Sequence, residues 1–464
     1  MKRIAIIGGG ISGLSAAFTL ERQRQAGMPL EYVLFGASPR FGGVIFTERL
    51  ENCVVEAGPD SFLTEKPWAS ELCHELGIAG QLIGSNDLQR RTYISVNGKL
   101  IPMPDGFAFM VPTKVMPAAL SPLFSFHTKI KMANEWFHPR REVDADESVA
   151  TFVKRHYGEE MVERLADPLL SGIYGGDVAD LSLRAVLPRF ADMQARYGSL
   201  GKAMIENRRK AASKDKDPRP IFTSLKNGMQ QLVDALVLRI PTSCVRPNAP
   251  IQSLSTVSGG WRVPSRDQTE QFDSVILAVP AHAAAELLND SCANIASELR
   301  GVEYSSSVTV VLGYDRRVRK LLPPGFGYLV ARGEGKRVLA VTFVHNKFPH
   351  RAPEDHALLR CFLGGTRDET ILELSDEEIL RIVRKELREV LSIDSDQLFA
   401  KVYKWRAAMA QYNVGHLERL QRIERLRMEV PGLFFAGNAY NGIGVPDCVR
   451  SGKQAARQVL GVET

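Results

Sequence analysis

The chain opens on a short apolar run that ends in glycines. Residues 4–7 predict a buried strand, the glycines behind them a tight turn, residues 14–23 a helix and residues 32–35 a second strand. A strand, a helix and a strand in this order predict two parallel strands, because parallel neighbours need a crossover of about this length. The start of the chain is therefore expected to be a doubly wound α/β domain.

The pattern of apolar positions changes at about residue 88 and again at 221. Helical periodicity dominates between these points, and short β-rich runs predict a second, mostly antiparallel sheet after them. The main helices are predicted at 147–157, 159–170, 183–197, 228–237, 377–391 and 446–460. The later strands are predicted at 261–263, 275–279, 304–314, 328–330, 338–344, 358–363 and 433–436. The basic stretch 208–219 is expected to be an exposed loop.

Composition and charge limit the function classes. The chain has 464 residues, of which 44% are hydrophobic and 24% charged, as in a folded soluble protein of two or three lobes. A formal charge of +6 permits an anionic partner such as a carboxylate but does not indicate nucleic acid. No cysteine lies in a C-x-x-C pair, so we predict free thiols in a reducing compartment and no metal site.

The N-terminus and the apolar runs bear on localisation. The chain starts Met1-Lys2-Arg3 and enters a strand directly, without the longer apolar stretch of a signal peptide. No apolar run is long enough to span a bilayer. We therefore expect a cytoplasmic protein.

The first glycine turn reads G-G-G-I-S-G and matches the G-x-G-x-x-G fingerprint between a strand and a helix. Gly8 permits the tight turn, Gly10 lets the backbone approach a pyrophosphate, and Gly13 lets the helix pack on the strand. The helix start at Ile11 and Ser12 offers free N–H groups to phosphate. A glycine turn without a ligand is the alternative, but the β-α-β context favours a dinucleotide.

One position departs from this fingerprint. An acid normally ends the second strand and binds the ribose hydroxyls. Here the strand is followed by Gly36, and Glu31 is too early in the strand to replace the acid. A charge-assisted contact to the adenosine is missing, so we predict weakened adenosine binding.

The turn behind the second strand reads A-S-P-R-F-G-G. At this point the chain resembles the superfamily of flavin-containing amine oxidases and protoporphyrinogen oxidases, in which an Arg-x-Gly-Gly turn lies against the FAD pyrophosphate. The resemblance implies that Arg40 supplies a cation directed at phosphate, and that Gly42 and Gly43 allow close backbone approach. A surface turn is the alternative.

The C-terminal turn, G-N-A-Y-N-G-I-G-V-P-D, stands directly before a helix. In the superfamily this helix start faces the N1–C2=O edge of the reduced flavin, where its N–H groups stabilise negative charge. Pro446 suits the first helical turn and Asp447 its preference for acids. An ordinary capped helix is the alternative.

The resemblance to protoporphyrinogen oxidases extends nearly end to end. It is carried by E-A-G-P-D-S-F at 56–62, L-A-D-P-L-L-S-G-I-Y-G-G-D at 165–177, L-S-L-R at 181–184, F-P-H-R-A-P at 348–353 and the glycine-rich turn and helix at 437–452. It implies a six-electron oxidation of a porphyrinogen in three flavin cycles, with hydride transfer from a methylene bridge to flavin N5. Dioxygen then reoxidises the flavin and gives hydrogen peroxide, so the resemblance implies no catalytic side-chain nucleophile.

The resemblance also implies which residues bind FAD. They are Gly8, Gly10, Ile11, Ser12, Gly13, Ala37, Ser38, Arg40, Gly42, Gly43, Gly58, Pro59, Asp60, Ser61, Val245, Ala278, Trp405, Gly437, Asn438, Gly444, Val445 and Pro446. Ala410 departs from the proline that the family has before Gln-Tyr, which is expected to loosen this turn.

A porphyrinogen is large and apolar with carboxylate arms, so its pocket should combine apolar walls with a few cations. By resemblance, Phe326, Leu329 and Phe362 form the walls, Gly172 lies in the lining segment, and Arg91 binds a propionate. The apolar residues can equally be core, and an exposed arginine pair is the alternative for Arg91.

The expected fold class is α/β of the multi-lobed α+β type. It has a Rossmann-like FAD-binding domain, a substrate domain with a mixed or antiparallel sheet, and a helical subdomain. The FAD-binding domain is placed at 1–86, 209–300 and 413–464, the substrate domain at 87–96 and 301–412, and the helical subdomain at 97–208.

The stretch 107–137 mixes large apolar side chains with lysines and arginines. Such a stretch can lie in a membrane interface, but a helical subdomain that packs over the substrate channel is slightly favoured. Peripheral contact with the inner face of the cell membrane and a homodimer are left open.

Three classes of function compete. The first is protoporphyrinogen oxidation, with coproporphyrinogen III, which carries four carboxylates, as a close variant substrate. The second is an amine or polyamine oxidase, which the C-terminal turn disfavours. The third is a non-catalytic flavin- or porphyrin-binding protein, which the missing acid at Gly36 keeps open.

Overall fold

The computed structural model describes residues 1–141, 145–212, 219–265 and 268–462. In chain order its strands are β1 (Lys2–Ile7), β2 (Leu30–Phe35), β3 (Thr47–Leu50), β4 (Cys53–Glu56), β5 (Phe62–Leu63), β6 (Leu82–Gly84), β7 (Thr92–Val96), β8 (Lys99–Pro102), β9 (Phe107–Ala108), β10 (Val111–Pro112), β11 (Phe222–Leu225), β12 (Val245–Arg246), β13 (Ser255–Val257), β14 (Gly260–Pro264), β15 (Thr269–Phe272), β16 (Ser274–Leu277), β17 (Tyr304–Tyr314), β18 (Gly327–Val330), β19 (Val338–Phe343), β20 (Ala357–Gly364), β21 (Phe399–Ala410) and β22 (Leu433–Phe435).

The helices in the same ranges are α1 (Ile11–Gln25), α2 (Trp68–Glu75), α3 (Val115–Leu120), α4 (Phe126–Asn134), α5 (Val149–Tyr157), α6 (Glu159–Met161), α7 (Asp167–Tyr174), α8 (Leu183–Val186), α9 (Pro188–Tyr197), α10 (Leu200–Ala212), α11 (Gln230–Val237), α12 (Ala281–Leu288), α13 (Ala293–Arg300), α14 (Arg316–Leu321), α15 (Val344–Lys347), α16 (Asp376–Leu391), α17 (His416–Met428) and α18 (Val445–Leu460).

The first sheet is parallel, with the strand order β12-β2-β1-β16-β22. Its strands come from the start, the middle and the end of the chain. Helix α1 is buried between this sheet and α18, and a Cβ atom on Gly452 of α18 would overlap the Ser12 carbonyl oxygen of α1. This close helix packing depends on glycine, because there is no room for a side chain. The predicted doubly wound domain is confirmed.

The second sheet has the order β21-β17-β20-β19-β18-β7-β8 and is antiparallel except for the β18–β7 pair. Side chains alternate between its two faces. One row, Tyr93, Tyr328, Val341, Cys361 and Val310, forms a core with α16. The neighbouring row, Ile94, Leu329, Ala340, Phe362 and Thr309, faces the other way. Leu329 and Phe362 on this second face are partly exposed, and we refer to it as the free face.

A helical subdomain, built mainly from α3 to α10, covers one end of this second face. Its core includes Phe152, Tyr157, Leu165 and Leu181, together with Ile94 from the sheet. The sheet and the helical subdomain thus share an apolar core, which fixes their relative position.

Several predicted helices differ in detail from the observed ones. The predicted helix at 147–157 begins at Val149, because the Ser148 side chain accepts from the Thr151 N–H and caps it. The predicted helix at 159–170 contains a π-turn at Val162–Ala166 and continues to Tyr174. The predicted helix at 183–197 is interrupted before Pro188, since proline cannot continue the preceding helix.

Two further expectations are corrected by the chain path. The basic stretch 208–219 is not a loop at its start, because α10 extends to Ala212, while 213–218 lie outside the described residues. The predicted boundary between the substrate domain and the helical subdomain, at residue 97, divides a β-hairpin. Asn97 and Gly98 have positive φ angles and form its turn, so that β8 pairs with β7. The strand Lys99–Pro102 therefore belongs to the second sheet and not to the helical subdomain.

The stretch 107–137 is divided between core and surface. Phe107, Met110 and Phe124 are buried, whereas Phe126 and Phe137 are 78% and 80% exposed. The buried part agrees with a packed subdomain, and peripheral membrane contact of the exposed part stays a prediction. Across the described residues, no helix combines the length and the hydropathy that crossing a bilayer requires.

Candidate functional site

The start of α1 forms an open cradle. A Cβ atom on Gly8 would overlap the Ala278 carbonyl oxygen, and one on Gly13 would overlap the Gly8 carbonyl oxygen. A Cβ atom on Gly10, in contrast, would meet no heavy atom of the protein within 4 Å. Packing therefore requires two of the three glycines, while the third keeps space open in front of the helix N-terminus. An N-terminus with open space in front of it suits a phosphate group.

The second glycine turn lies against this cradle. The Gly42 N–H donates to the Gly9 carbonyl at 2.7 Å, and Gly10 and Gly42 form an isolated parallel β-bridge. A Cβ atom on Gly43 would lie 3.4 Å from Gly10 Cα. Two turns that are more than thirty residues apart in the sequence thus meet at the same helix start.

The Arg40 side chain is bonded within its own turn. Its guanidinium donates to the carbonyls of Gly43 at 2.6 Å and Ile45 at 2.7 Å, and it stacks on the Phe46 ring. Burial lowers the pKa of Arg40 below its ordinary value. The residue holds the Gly42–Gly43 turn in shape, and its direct contact with phosphate stays a prediction.

The segment 56–61 is held by four side chains of the second sheet and its flanking turns. A Cβ atom on Gly58 would overlap the Val44 carbonyl oxygen, so the segment packs directly on the second glycine turn. From the other side, Arg351 Nη1 donates to Glu56 Oε1 at 2.6 Å, and Trp405 Nε1 donates to the Ala57 carbonyl at 3.0 Å. Arg360 Nη2 donates to the Gly58 carbonyl, and Lys347 Nζ donates to Asp60 Oδ2 at 3.1 Å. Of the predicted FAD-binding residues, Gly58, Asp60 and Ser61 are therefore connected to the second sheet and its flanking segments.

The charges in this cluster stabilise one another. Burial by itself raises the pKa of Asp60, but Lys347 and Arg360 outweigh it and hold the pKa well below its usual range. Burial lowers the pKa of Arg360, and Asp60 and Glu56 oppose that effect. Asp60 therefore stays ionised. Arg351, Lys347 and Arg360 had no predicted role, although an arginine or lysine within an apolar stretch is a sign of a buried ion pair.

The glycine-rich turn before α18 is positioned by Tyr412. Its hydroxyl donates to the Asn438 carbonyl at 2.8 Å and accepts from the Gly442 N–H at 2.7 Å. The Asn438 amide donates to the Ala408 carbonyl at 3.0 Å. Gly444 precedes α18 and has no side chain to cap it, so the first N–H groups of the helix, at Val445 and after Pro446, face the turn.

An ion pair that sequence reasoning missed lies in the first turn of α18. Asp447 is 3% exposed, and the Lys66 Nζ donates to its Oδ2 at 2.6 Å. Lys66 lies two residues before α2, so this ion pair connects the segment before α2 to the C-terminal helix. The predicted preference for an acid at this helix start is met, and the structure supplies its counter-charge.

Two predicted adenosine-side residues lie in the first sheet and beside it. Val245 pairs with Leu34 at the edge of the sheet. The Ala278 N–H donates to the Ile7 carbonyl at 2.8 Å, which places Ala278 beside the first glycine turn. Both positions agree with a dinucleotide that lies across the carboxyl ends of these parallel strands.

On the substrate side the structure brings three of the five predicted residues together. Leu329 and Phe362 share the free face of the second sheet, and a Cβ atom on Gly172 of α7 would lie 3.8 Å from Leu329 Cδ2. Phe326 is buried before β18, and its N–H donates to the Arg91 carbonyl at 2.8 Å. The Arg91 side chain is exposed at this end of the sheet. Roles for these residues in substrate binding stay predictions.

Helix α7 is fastened to the sheet by charged residues. The Arg367 side chain, behind β20, donates to Asp167 Oδ2 at 2.8 Å and to Asp177 Oδ2 at 2.9 Å. Arg332, behind β18, donates to Asp177 Oδ2 at 3.2 Å. The ion pairs of these two arginines with Asp167 and Asp177 hold α7, and with it Gly172, opposite the free face.

A family model described as flavin containing amine oxidoreductase matches residues 11–460. The chain belongs to this family. A coproporphyrinogen III oxidase of Bacillus subtilis (strain 168) is 34% identical over 99% of this chain and 98% of its own length. Protoporphyrinogen oxidase 2, chloroplastic/mitochondrial, of Arabidopsis thaliana is 26% identical over 99% of this chain and 94% of its own length. The suspected resemblance to porphyrinogen oxidases is thus confirmed.

Solved structures agree with this membership. A proposed protoporphyrinogen oxidase of Exiguobacterium sp. 255-15 superposes with a TM-score of 0.89 and 30% identity over 99% of this chain and 98% of the other. Putrescine oxidase superposes with a TM-score of 0.70 at 18% identity, which shows the common fold alone. The expected fold class is confirmed.

The cofactor of the chain is FAD, as in the rest of the family. The open space at Gly10 fits a pyrophosphate, and the uncapped start of α18 fits an anionic ring edge. When bound, FAD supplies the two-electron acceptor that the side chains lack. We expect the two glycine turns, segment 56–61 and the start of α18 to hold and orient it. In the part of the chain that the structure describes, no three histidine, cysteine, aspartate or glutamate side chains gather as metal ligands would.

A buried histidine beside the site is expected to make stability depend on pH. His416 is 4% exposed and stacks on Tyr412 with ring centroids 4.1 Å apart. Burial, aided by Arg419, lowers its pKa to about 4. The pKa of His416 in the folded protein is lower than its value near 6.5 in the unfolded chain. The contribution of neutral His416 to the free energy of unfolding is therefore fully present above pH 6.5 and is lost as the pH falls through about 4. The loss amounts to about 3 kcal/mol as an order of magnitude.

We therefore expect His416→Phe, which keeps the ring stack, to lose less stability between pH 7.5 and pH 4.5 than the wild-type protein. Urea unfolding at both pH values measures the difference. His74→Gln, at an exposed position, serves as the control substitution. An identical pH dependence in His416→Phe and wild type would contradict the assignment of this titration.

Proposed function

We propose that the chain is an oxygen-dependent porphyrinogen oxidase, that its substrate is coproporphyrinogen III, and that six electrons are removed to give coproporphyrin III and hydrogen peroxide. The relationship to a coproporphyrinogen III oxidase over essentially the whole of both chains, at 34% identity, carries this proposal. Identity to the plant protoporphyrinogen oxidase is lower, at 26%. Coproporphyrinogen III thus replaces protoporphyrinogen IX, which the sequence alone had placed first as the substrate.

Arginines lie at both ends of the free sheet face. Strands β18 and β20 run in the same direction because both are antiparallel to β19. Arg332 and Arg367 therefore follow the wall residues Leu329 and Phe362 at one end of the sheet, and Arg91 lies at the other end. At about 3.3 Å per residue, Arg332 and the Phe326 end of β18 lie about 20 Å apart.

Coproporphyrinogen III carries four carboxylates, and protoporphyrinogen IX carries two fewer. Each additional charge-assisted hydrogen bond to a carboxylate contributes about 1.5–3 kcal/mol. Arg332 and Arg367 already form ion pairs with Asp167 and Asp177, so a carboxylate arm is expected to meet Arg91, and the preference for the four-armed substrate rests on the relatives. Protoporphyrinogen IX is the second candidate, supported by the apolar walls themselves.

The test is oxidation of both porphyrinogens under air with added FAD, followed by porphyrin fluorescence. We expect kcat/KM for coproporphyrinogen III to exceed that for protoporphyrinogen IX at least tenfold, which corresponds to about 1.4 kcal/mol. A ratio near one or below it would return protoporphyrinogen IX to first place. No fluorescence gain from either substrate with flavin bound would reject the proposal, and oxidation of putrescine would point to an amine oxidase.

Enlarging Gly172 tests whether the substrate enters between α7 and the sheet. Gly172 is exposed, and its nearest neighbour across the gap is Leu329 at 3.8 Å from a built Cβ. We expect Gly172→Phe to lower kcat/KM more than tenfold while the flavin content stays unchanged, because the ring fills this gap. Gly172→Ala is the matched control and should stay near wild type, since 3.8 Å is an ordinary contact. Full activity of Gly172→Phe would place the substrate elsewhere.

A further inference from the structure

The end of β2 is where the chain departs from the dinucleotide fingerprint. In that fingerprint an acid behind the second strand binds the ribose hydroxyls of the adenosine. Here the position is Gly36, and Ala37, Ser38 and Pro39 behind it carry no carboxylate. The ribose-binding group is therefore missing from this turn.

The backbone of Gly36 is already engaged. Its N–H donates to the Arg246 carbonyl at 2.9 Å, and its carbonyl accepts from the Ala249 N–H at 2.8 Å. These hydrogen bonds extend the pairing of β2 with β12 beyond the end of the strand. Gly36 thus has no side chain to offer a ribose, and its backbone groups are bonded within the protein.

The ring of Phe41 fills the space in front of Gly36. A Cβ atom on Gly36 would lie 2.8 Å from Phe41 Cε1, and a Cβ atom on Gly9 would lie 2.5 Å from Phe41 Cδ1. Both distances are well inside the 3.5–4.0 Å at which carbon atoms normally meet. The ring also packs against the apolar core that includes Ile4 and Leu14, which holds it over the two glycines.

We propose that Phe41 and Gly36 act as a pair that takes the place of the ribose-binding carboxylate. The ring occupies the room that an acidic side chain at position 36 needs, and it presents an apolar surface there. The adenosine half of FAD is then held by packing and by the phosphate contacts at α1. This inference rests on FAD as the cofactor, and it does not depend on the porphyrinogen substrate.

The pair makes a specific prediction about epistasis, because the acid and the ring compete for one space. Gly36→Glu alone is expected to weaken FAD binding. The double variant Gly36→Glu/Phe41→Val is expected to bind FAD about tenfold tighter than Phe41→Val alone, because a carboxylate that accepts from a ribose diol makes charge-assisted hydrogen bonds.

The experiment is a titration of the four apoproteins (wild type, both single variants and the double variant) with FAD, followed by flavin fluorescence. Gly36→Gln/Phe41→Val is the matched control, because glutamine has the size of glutamate without its charge. We expect this control not to bind FAD tenfold tighter than Phe41→Val. Tighter binding by Gly36→Glu alone would overturn the proposal, because the ring would then not exclude an acid. Absence of a gain in the double variant over Phe41→Val would overturn it equally.

A milder cycle decides the question if a larger substitution impairs folding. We expect Gly36→Ala to lower FAD affinity when Phe41 is present. In the Phe41→Leu background we expect no effect, because the smaller leucine side chain leaves room for the alanine Cβ atom. Equal effects of Gly36→Ala in both backgrounds would contradict the proposal. Porphyrinogen turnover at saturating FAD is recorded separately, so that failure of the proposed function and failure of this inference are distinguished.

Discussion

Replacing Gly10 by alanine is expected to lower the affinity for FAD at least hundredfold, or about 2.7 kcal/mol, while the apoprotein keeps its fold. The backbone of Gly10 has φ −75° and ψ 178°, an extended conformation that alanine adopts readily. Its Cβ position meets no protein atom within 4 Å. The added methyl group therefore meets only what enters the cradle, which we expect to be the pyrophosphate.

This prediction is measured by FAD titration together with thermal unfolding of the apoprotein. We expect the melting temperature to change little, since alanine in place of glycine before a helix costs at most about 1 kcal/mol. Gly80→Ala is a matched control, because a Cβ atom there also meets nothing within 4 Å and the residue is remote from the cradle in the sequence. Wild-type FAD affinity in Gly10→Ala would mean that the pyrophosphate does not approach this backbone.

Replacing Arg351 by methionine is expected to lower the free energy of unfolding by about 3–5 kcal/mol, because it leaves a buried carboxylate without its partner. Arg351 is 1% exposed and donates to Glu56 Oε1 and to Ser224 Oγ, both at 2.6 Å. The pair connects the turn behind α15 to the strand that leads into segment 56–61. We therefore also expect looser FAD binding in this variant.

Urea unfolding of the FAD-bound protein measures this loss. Arg422→Met is the control, since Arg422 and Glu298 form a pair at 2.8 Å whose side chains are 41% and 24% exposed. An exposed pair of this kind contributes about 0–1 kcal/mol. Adding Glu56→Gln to Arg351→Met should recover part of the loss by removing the unpaired charge. A loss below 1 kcal/mol in Arg351→Met would show that the hydrogen bonds of Glu56 with Thr47 and Met229 suffice without the ion pair.

The cradle for the dinucleotide is the part of the site that could be predicted best. Its determinants are local, since the spacing of Gly8, Gly10 and Gly13 between a strand and a helix sets the backbone that approaches the ligand. The structure shows that packing requires Gly8 and Gly13 and that space is open at Gly10, while the contact of Gly10 with a pyrophosphate stays a prediction. The predicted contact of Arg40 with phosphate depends on where its flexible side chain goes, which spacing does not determine.

The helical subdomain could be predicted only coarsely. Its helices have the expected periodicity, but the π-turn at Val162–Ala166 and the interruption before Pro188 depend on how each helix packs against its neighbours. The assignment of 97–102 failed for a similar reason. A short strand such as β8 has too few residues for a pattern and is recognised only by its partner β7.

The sequence by itself determined that this chain has a doubly wound domain with a glycine-rich turn at the start of its first helix, because β-α-β connectivity and glycine spacing act over a few residues. Only the tertiary structure decided what surrounds that domain. Arg351 and Glu56 are 295 residues apart, and Phe41 covers Gly36 from the neighbouring turn. Contacts of this kind follow from the docking of two sheets and the direction of individual side chains, and no periodicity along the chain encodes them.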